Sequence, residues 1–188
     1  MEWSPLRKMQ LNQNVDRILN APGNVIKPGG NLEMAFVFDE TSDSVYLKTA
    51  SAEAVSGLRS HSEIFRNVRC NVVHWKAGSI STEVMPLAYV QLGKALHVPE
   101  DVSRETKQHG DSEVSLPGLD ELTGHLKLYH ARSKCILIFT EGNYITGDMR
   151  RLAENLNPFL KTRILVITPE NMIPGGRILI EAVKGQTE

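Results

Sequence analysis

The sequence predicts an α/β fold of three layers, in which helices cover both faces of a doubly wound, mostly parallel central sheet. The first observation is four short apolar runs, at residues 33–39, 68–75, 134–140 and 162–168, separated by segments of helical periodicity. The runs do not alternate with polar residues as half-exposed strands do, which is typical of strands buried on both faces. The second observation is the length, since 188 residues suffice for one domain with a sizeable core.

Amphipathic segments predict the helices that connect these strands. Apolar residues at helical spacing predict helices over residues 50–67, with Ser51 as the N-cap, over 82–96 and around 119–131. A further helix is predicted around 149–156, with Asp148 as its N-cap and Pro158 as its stop. Residues 175–183 fit either a closing helix or an edge strand.

The chain divides into an N-terminal extension, residues 1–32, and a domain, residues 33–188. The extension is polar, contains a predicted helix over 6–19 and ends in the stretch KPGGN, which breaks regular structure. Within the domain, residues 97–118 are polar and contain two prolines and two glycines. We therefore expect a surface insertion there.

Composition argues against several classes of partner. The 21 basic and 22 acidic residues leave a net charge of −1, which gives no electrostatic reason to expect nucleic acid or an anionic membrane. Cys70 and Cys135 lie in apolar surroundings, so we expect two free thiols in the core. No apolar run predicts a signal peptide or a membrane span, and we expect a cytoplasmic protein.

Side chains with oxygen ligands follow the predicted strands, at the sheet edge where α/β folds bind ligands. Asp39, Thr41 and Asp43 alternate directly after the first strand, so a tight turn can aim three oxygens at one point. Thr82 opens the predicted helix over 82–96, and Glu141 directly follows the third strand. Carboxylates and hydroxyls suit hard cations, which predicts a site for Mg²⁺, with Mn²⁺ or Ca²⁺ as alternatives.

The order of these elements resembles a von Willebrand factor A domain, a Rossmann-like fold, over about residues 33–184. "DETSD" (39–43) resembles the family's Asp-x-Ser-x-Ser loop, and "ST" (81–82) resembles its threonine at the start of a later helix. "ILIFTEG" (136–142) resembles its Thr-Asp-Gly turn after a central strand. Asp43 stands where the family has its second serine, and Glu141 where it has the aspartate.

The resemblance implies a protein–protein interaction module or an adaptor subunit of an intracellular assembly. In the family, an acidic side chain of the partner protein completes the coordination of the cation, because an incompletely coordinated hard cation attracts a carboxylate. The implied site is a divergent metal-ion-dependent adhesion site that holds Mg²⁺ through Asp39, Thr41, Asp43, Thr82 and Glu141.

A metal-free structural or assembly protein on the same fold is the first alternative. Asp39, Thr41 and Ser42 also fit a turn held by local side-chain hydrogen bonds. Thr82 equally fits a helix N-cap, and Glu141 a solvated turn residue. Either role would leave the fold intact without an ion.

A Mg²⁺-dependent phosphatase or nuclease-like enzyme is the second alternative. "FVFDETS" is similar to the nucleophile strand of the haloacid dehalogenase phosphatases, but Thr41 stands where they need a second aspartate. "ILIFTEG" is similar to the Toprim fold, but the Asp-x-Asp that this fold needs after the next strand is missing from "VITPEN". These departures favour an interaction module over an enzyme.

Overall fold

The computed structural model describes residues 2–24, 26, 32–76, 79–90, 122, 124–141, 160 and 162–174. These residues form a mixed α/β fold around one sheet with strands β1 Glu33–Asp39, β2 Arg69–Lys76, β3 Ser79–Pro86, β4 Cys135–Phe139, β5 Ile164–Ile167 and β6 Met172–Pro174. Across the sheet the order is β3-β2-β1-β4-β5-β6. The four central strands are parallel, and the outer strands β3 and β6 run antiparallel to their neighbours. The sheet is therefore mixed but mostly parallel.

Both faces of the sheet are buried, because successive side chains of a strand point to opposite sides. One set of alternate residues, which includes Phe36 and Leu137, belongs to a large core shared with two helices. The other set, which includes Val37 and Ile138, packs against Leu126 and its neighbours in a second core. The four predicted strands are confirmed, and burial on both faces explains why their sequences are almost continuously apolar.

The described helices are α1 Pro5–Leu19, α2 Ser44–His61 and α3 Leu87–Val90, with a 3₁₀ turn at Glu63–Phe65. Residues 124–129 are also helical and fall within the helix predicted around 119–131. Helix α1 confirms the prediction over 6–19 within one residue. Its N-cap is Ser4, whose side chain accepts a hydrogen bond from the backbone N–H of Arg7 at 3.2 Å.

Helix α1 lies within the predicted N-terminal extension, yet its apolar side chains join the main core. Leu11 and Val15 are completely buried and belong to the same cluster as Phe36. Gly57 of α2 faces α1, since a methyl group placed on it would lie 3.5 Å from Cδ2 of Leu11. The two helices therefore pack on each other and on one face of the sheet.

The prediction of a helix over 82–96 is wrong for the first part of this segment. Residues up to Pro86 belong to β3, which pairs with β2 without interruption from Arg69 opposite Pro86 to Lys76 opposite Ser79. The apolar residues at helical spacing indicated a single helix, but they extend from the end of a strand into the single turn of α3. Pairing with β2 satisfies the backbone along one side of the segment, and tertiary context overrides a weak periodicity in this way. Residues 91–96 lie outside the described part of the chain.

Two smaller features also differ from the prediction. Helix α2 begins at Ser44, with Asp43 as the N-cap, so Ser51 is an internal, buried residue rather than a cap. The short strand β6 was not predicted and forms an antiparallel pair with β5. The insertion at 97–118, the helix around 149–156 and the closing element at 175–183 lie outside the described residues.

Burial of the two cysteines agrees with the prediction. Cys70 and Cys135 are both free and completely buried, and burial raises the pKa of the Cys135 thiol to about 12. Among the helices in the described residues, none combines the length and the apolar character that crossing a membrane would require.

Candidate functional site

The candidate site lies where the carboxyl ends of β1 and β4 meet. Within the sheet, the chain continues from β1 to β2, the neighbour of β1 on one side, whereas β4 is its neighbour on the other side. Neighbouring connections that leave in opposite directions open a crevice at the carboxyl edge, which is the usual place for ligands in open α/β sheets. Asp39 ends β1 and Thr140 follows β4, so both residues stand at this crevice.

Asp39 is completely buried and accepts four hydrogen bonds. The backbone N–H and the hydroxyl of Thr41 donate to its Oδ1 at 3.1 and 2.6 Å. The hydroxyls of Ser42 and Thr140 donate to its Oδ2 at 3.1 and 2.6 Å. The carboxylate thus joins the loop after β1 to the end of β4.

The same loop is also held through its backbone. The N–H of Ser42 donates to the carbonyl of Asp39 at 3.0 Å, and the N–H of Glu141 donates to the Ser42 hydroxyl oxygen at 3.0 Å. Together with the Thr41 bonds, this is the side-chain-stabilised turn that the sequence left open as an alternative. Glu141 is therefore fixed through its backbone beside Asp39, and its side chain is exposed.

Burial and hydrogen bonding shift the pKa of the Asp39 carboxyl in opposite directions. Burial raises the pKa of its carboxyl above the ordinary value, while the bonds from Thr140, Thr41 and Ser42 favour the charged form and oppose the shift. A buried carboxylate is costly unless donors surround it. These donors are thus what allows a charge at this position.

The rim of the crevice beyond β4 is formed by Tyr46 and Arg7. The Tyr46 hydroxyl donates to the carbonyl of Ile167 at 2.7 Å, and the Arg7 guanidinium donates to the carbonyl of Thr168. Arg7 also lies over the ring of Trp3, 4.6 Å from its centroid. Burial raises the pKa of the Tyr46 phenol, so it stays neutral and acts as a donor. Helices α1 and α2 thereby close the carboxyl end of β5.

His74 connects the loop after β1 to the edge of the sheet. Its Nδ1 lies 2.8 Å from Oε1 of Glu40, and its Nε2 lies 3.3 Å from Oε2 of Glu83. Burial lowers the pKa of His74, but the two carboxylates together outweigh burial and leave the pKa raised. A protonated imidazole can donate to both glutamates at once. The three side chains form a contact across the loop, β2 and β3.

The structure brings together only part of the predicted metal site. Asp39 and Thr41 are in direct contact, and Glu141 is joined to them through Ser42. Asp43 stands at the start of α2 with an exposed side chain that makes no capping hydrogen bond. It lies in the same loop but outside the bonded cluster.

Thr82 does not lie at a helix start and does not reach this cluster. It is opposite Val73 in β3, whereas Asp39 aligns with Trp75. Two strand spacings and two residues along the strand separate Thr82 from Asp39, about 10 Å across and about 7 Å along. The Thr82 hydroxyl oxygen lies instead 2.8 Å from Nε2 of His125. The reason for including Thr82, a position opening a helix, was wrong.

The residues at the crevice therefore fit a hard cation only in part. Among the described residues, no group of three or more His, Cys, Asp and Glu side chains is arranged to hold a metal ion. Asp39 is saturated by its four donors, so a cation would have to use the Thr41 oxygen and the exposed carboxylates of Glu141 and Asp43. A hydroxyl that donates its proton keeps oxygen lone pairs for a cation. The five predicted ligands do not fit as one set.

Sequence reasoning left Ser42 and Thr140 out of the site, although both neighbour predicted residues. Thr140 ends an apolar run and Ser42 lies inside the polar loop, which is the only signal that the sequence offered. The Ser42 bond to Asp39 lies within the loop, whereas the Thr140 bond to Asp39 depends on β4 lying beside β1, and the strand order is not written in the local sequence. His74, Glu40 and Glu83 were missed for the same reason.

The fold and the site define a mixed α/β protein with a hydrogen-bonded aspartate at the switch point of its sheet. No family model, no curated protein and no solved structure matches the chain.

The His74 contact predicts a pH dependence of stability that Glu40→Gln should weaken. Because the folded pKa of His74 is raised, its contribution is complete below the unfolded value of about 6.5 and is lost as the pH rises through the folded value. We expect Glu40→Gln to lower the free energy of unfolding by about 1 kcal/mol at acid pH and by less at alkaline pH.

Urea unfolding of the wild type and the variant from acid to alkaline pH measures the difference in the free energy of unfolding. Titrating groups that the substitution does not affect contribute equally to both proteins and cancel. Glu83→Gln is the matched control, since Glu83 is more exposed and its bond to His74 is longer, so its effect should be smaller. A Glu40→Gln effect that does not change with pH would contradict the assignment.

Proposed function

We propose that the chain is a protein–protein interaction module of the von Willebrand factor A-like class, with a three-layer, Rossmann-like arrangement. The proposed role is that of an adaptor subunit in a cytoplasmic assembly. The observation that carries the proposal is the bond from Thr140 to Asp39 across the switch point, in a sheet whose central strands are parallel. It places a rigid, polar loop at the edge where such folds bind their ligands.

The geometry supports binding rather than catalysis at this edge. Asp39 is completely buried and all its hydrogen bonds go to the protein, which does not favour a role as a nucleophile. The exposed groups next to it are the carboxylates of Asp43 and Glu141. A partner without a metal would meet this acidic surface with basic side chains.

A divalent cation is the second form of the same proposal. Mg²⁺ held by Glu141, Asp43 and the Thr41 oxygen would reverse the local charge and would select an acidic side chain of the partner. The observation that favours it is that Asp43 and Glu141, both exposed, belong to the two segments that the Ser42 hydroxyl joins, next to the hydroxyl of Thr41. The two forms predict opposite charges on the partner.

The test is capture of partner proteins from the native source by the wild type and by Glu141→Gln, with Mg²⁺ and with EDTA. We expect Glu141→Gln to reduce capture about fivefold, which corresponds to about 1 kcal/mol. EDTA should have no effect if binding needs no metal and should abolish capture if a cation completes the site.

Glu63→Gln is the matched control, because Glu63 is an exposed acid that precedes β2 and so lies at the opposite, amino edge of the sheet. Equal loss of capture in both variants would indicate a general charge effect. Capture that survives both Glu141→Gln and Asp43→Asn would remove this edge from the proposal.

A further inference from the structure

Among the described residues, the outer strand β3 presents an edge that lacks the usual protection against pairing. It is eight residues long, mostly exposed, and pairs with β2 without a bulge. Its single charged residue is Glu83, and its proline, Pro86, stands at the last position. Natural edge strands are usually short, bulged or marked by lysine or proline within the strand. The opposite edge follows that rule, since β6 has three residues and ends in Pro174.

We propose that β3 pairs antiparallel with β3 of a second copy of this chain, on a two-fold axis through Thr82. In the part of the chain that the structure describes, β3 is the outermost strand on its side, so its outer backbone groups face away from the sheet. Pairing between copies would satisfy these groups and extend the sheet across both molecules.

The register follows from symmetry and charge. A two-fold axis perpendicular to the sheet keeps each face on the same side, so residues that are both odd or both even in number must oppose each other. An axis at Glu83 would set two carboxylates against each other, which is destabilising. An axis at Ser81 or Val84 would shorten the overlap. The axis at Thr82 pairs residues 79–85 and sets Glu83 opposite Ser81.

Apolar residues match in the same register. Ile80 of one copy lies opposite Val84 of the other, on the face that also carries Thr82. Val84 is 49% exposed, and this pairing would bury part of its side chain. Beside the seam, the ring of Tyr129 is 69% exposed, and its centroid lies 4.8 Å from that of the His125 ring, with the two planes tilted by 46°. His125 in turn contacts Thr82.

The charge of Glu83 does not oppose the pairing. Its carboxylate lies 3.3 Å from Nε2 of His74, within the same molecule. The proposed seam also lies two strands away from β1, so it leaves the crevice at Asp39 open. The inference is therefore independent of the proposed partner binding at that crevice.

The sharpest test is Thr82→Cys oxidised with diamide, which converts two thiols into a disulfide. Residues directly opposite each other in an antiparallel pair have Cβ atoms about 5 Å apart, close to what a disulfide needs. Cys70 and Cys135 are completely buried, so the new thiol is the accessible one. We expect Thr82→Cys to form a covalent dimer at least tenfold faster than Ser79→Cys, whose two copies would lie about 20 Å apart in this register.

Light scattering of the unmodified chain gives an independent measurement. We expect a dimer at about 100 μM protein, which requires a dissociation constant of about 10 μM or below. Val84→Lys should weaken dimerisation at least tenfold without changing the circular dichroism spectrum, because Val84 is exposed in the single molecule. Val45→Lys is the matched control, because it is the same substitution at a residue of α2 that is 67% exposed, and it should leave the dimer intact.

A wild-type chain that stays monomeric overturns the proposal, and so does equal cross-linking of the two cysteine variants. A monomer whose capture of some other protein is weakened by Val84→Lys would assign the edge to a different partner, which also overturns it.

Discussion

Asp39→Ala is expected to lower the free energy of unfolding by about 3 kcal/mol, which is a large effect for one residue. The substitution removes the acceptor of the half-buried Thr41 N–H and of the buried hydroxyls of Ser42 and Thr140. A buried donor without an acceptor costs more free energy than a formed hydrogen bond contributes to stability. Urea unfolding of the wild type and the variant measures the difference in the free energy of unfolding, when that free energy falls with urea concentration at the same slope in both.

Asp39→Asn and Asp43→Asn separate the possible causes. Asp39→Asn keeps one acceptor oxygen, and hydroxyls can rotate to accept from its amide, so we expect a loss of about 1–2 kcal/mol. Asp43 lies in the same loop but is exposed and makes no capping hydrogen bond, so Asp43→Asn should stay within about 0.5 kcal/mol of the wild type. An Asp39→Ala variant as stable as Asp43→Asn would show that the four bonds do not hold the loop.

Leu11→Ala is expected to destabilise the protein by about 3 kcal/mol, because Leu11 is completely buried between α1, α2 and the sheet. The result bears on the role of residues 1–32. A loosely attached extension would tolerate the change, whereas a helix that completes the core would not. The measurement is again the free energy of unfolding, from urea or thermal unfolding followed by circular dichroism.

Leu6→Ala is the matched control on the same helix. Leu6 is 59% exposed, so removal of its side chain should change the stability by no more than about 0.5 kcal/mol. Both substitutions replace leucine by alanine within α1, so their effects on helix propensity are alike. A Leu11→Ala effect as small as that of Leu6→Ala would contradict the packing of α1 described above.

The sequence predicted contacts of the site between residues that are close together in the chain, but not contacts between residues that are far apart. The contact between Asp39 and Thr41 is local, and a polar turn after a buried strand indicates it directly. The contact between Asp39 and Thr140 joins residues that are 101 positions apart. It exists because β4 lies beside β1, and local patterns do not specify which strands become neighbours.

Thr82 shows the limit of periodicity most clearly. Apolar residues after it recur at helical spacing, yet the segment up to Pro86 is a strand because β2 offers it a partner. A short polar segment with a few apolar residues is compatible with either state, and pairing decides between them. That one change removed Thr82 from the predicted metal site and placed it at the centre of the proposed seam between two molecules.

The sequence by itself determined the four central strands, α1, the two buried thiols and the polar loop after β1. Each of these follows from local composition, because a strand buried on both faces must be apolar and a turn must carry small or polar side chains. The tertiary structure alone decided the strand order, the antiparallel edges, the packing of α1 into the core and the bond from Thr140 to Asp39. These depend on which surfaces bury each other, and that choice is made by the whole chain rather than by any one segment.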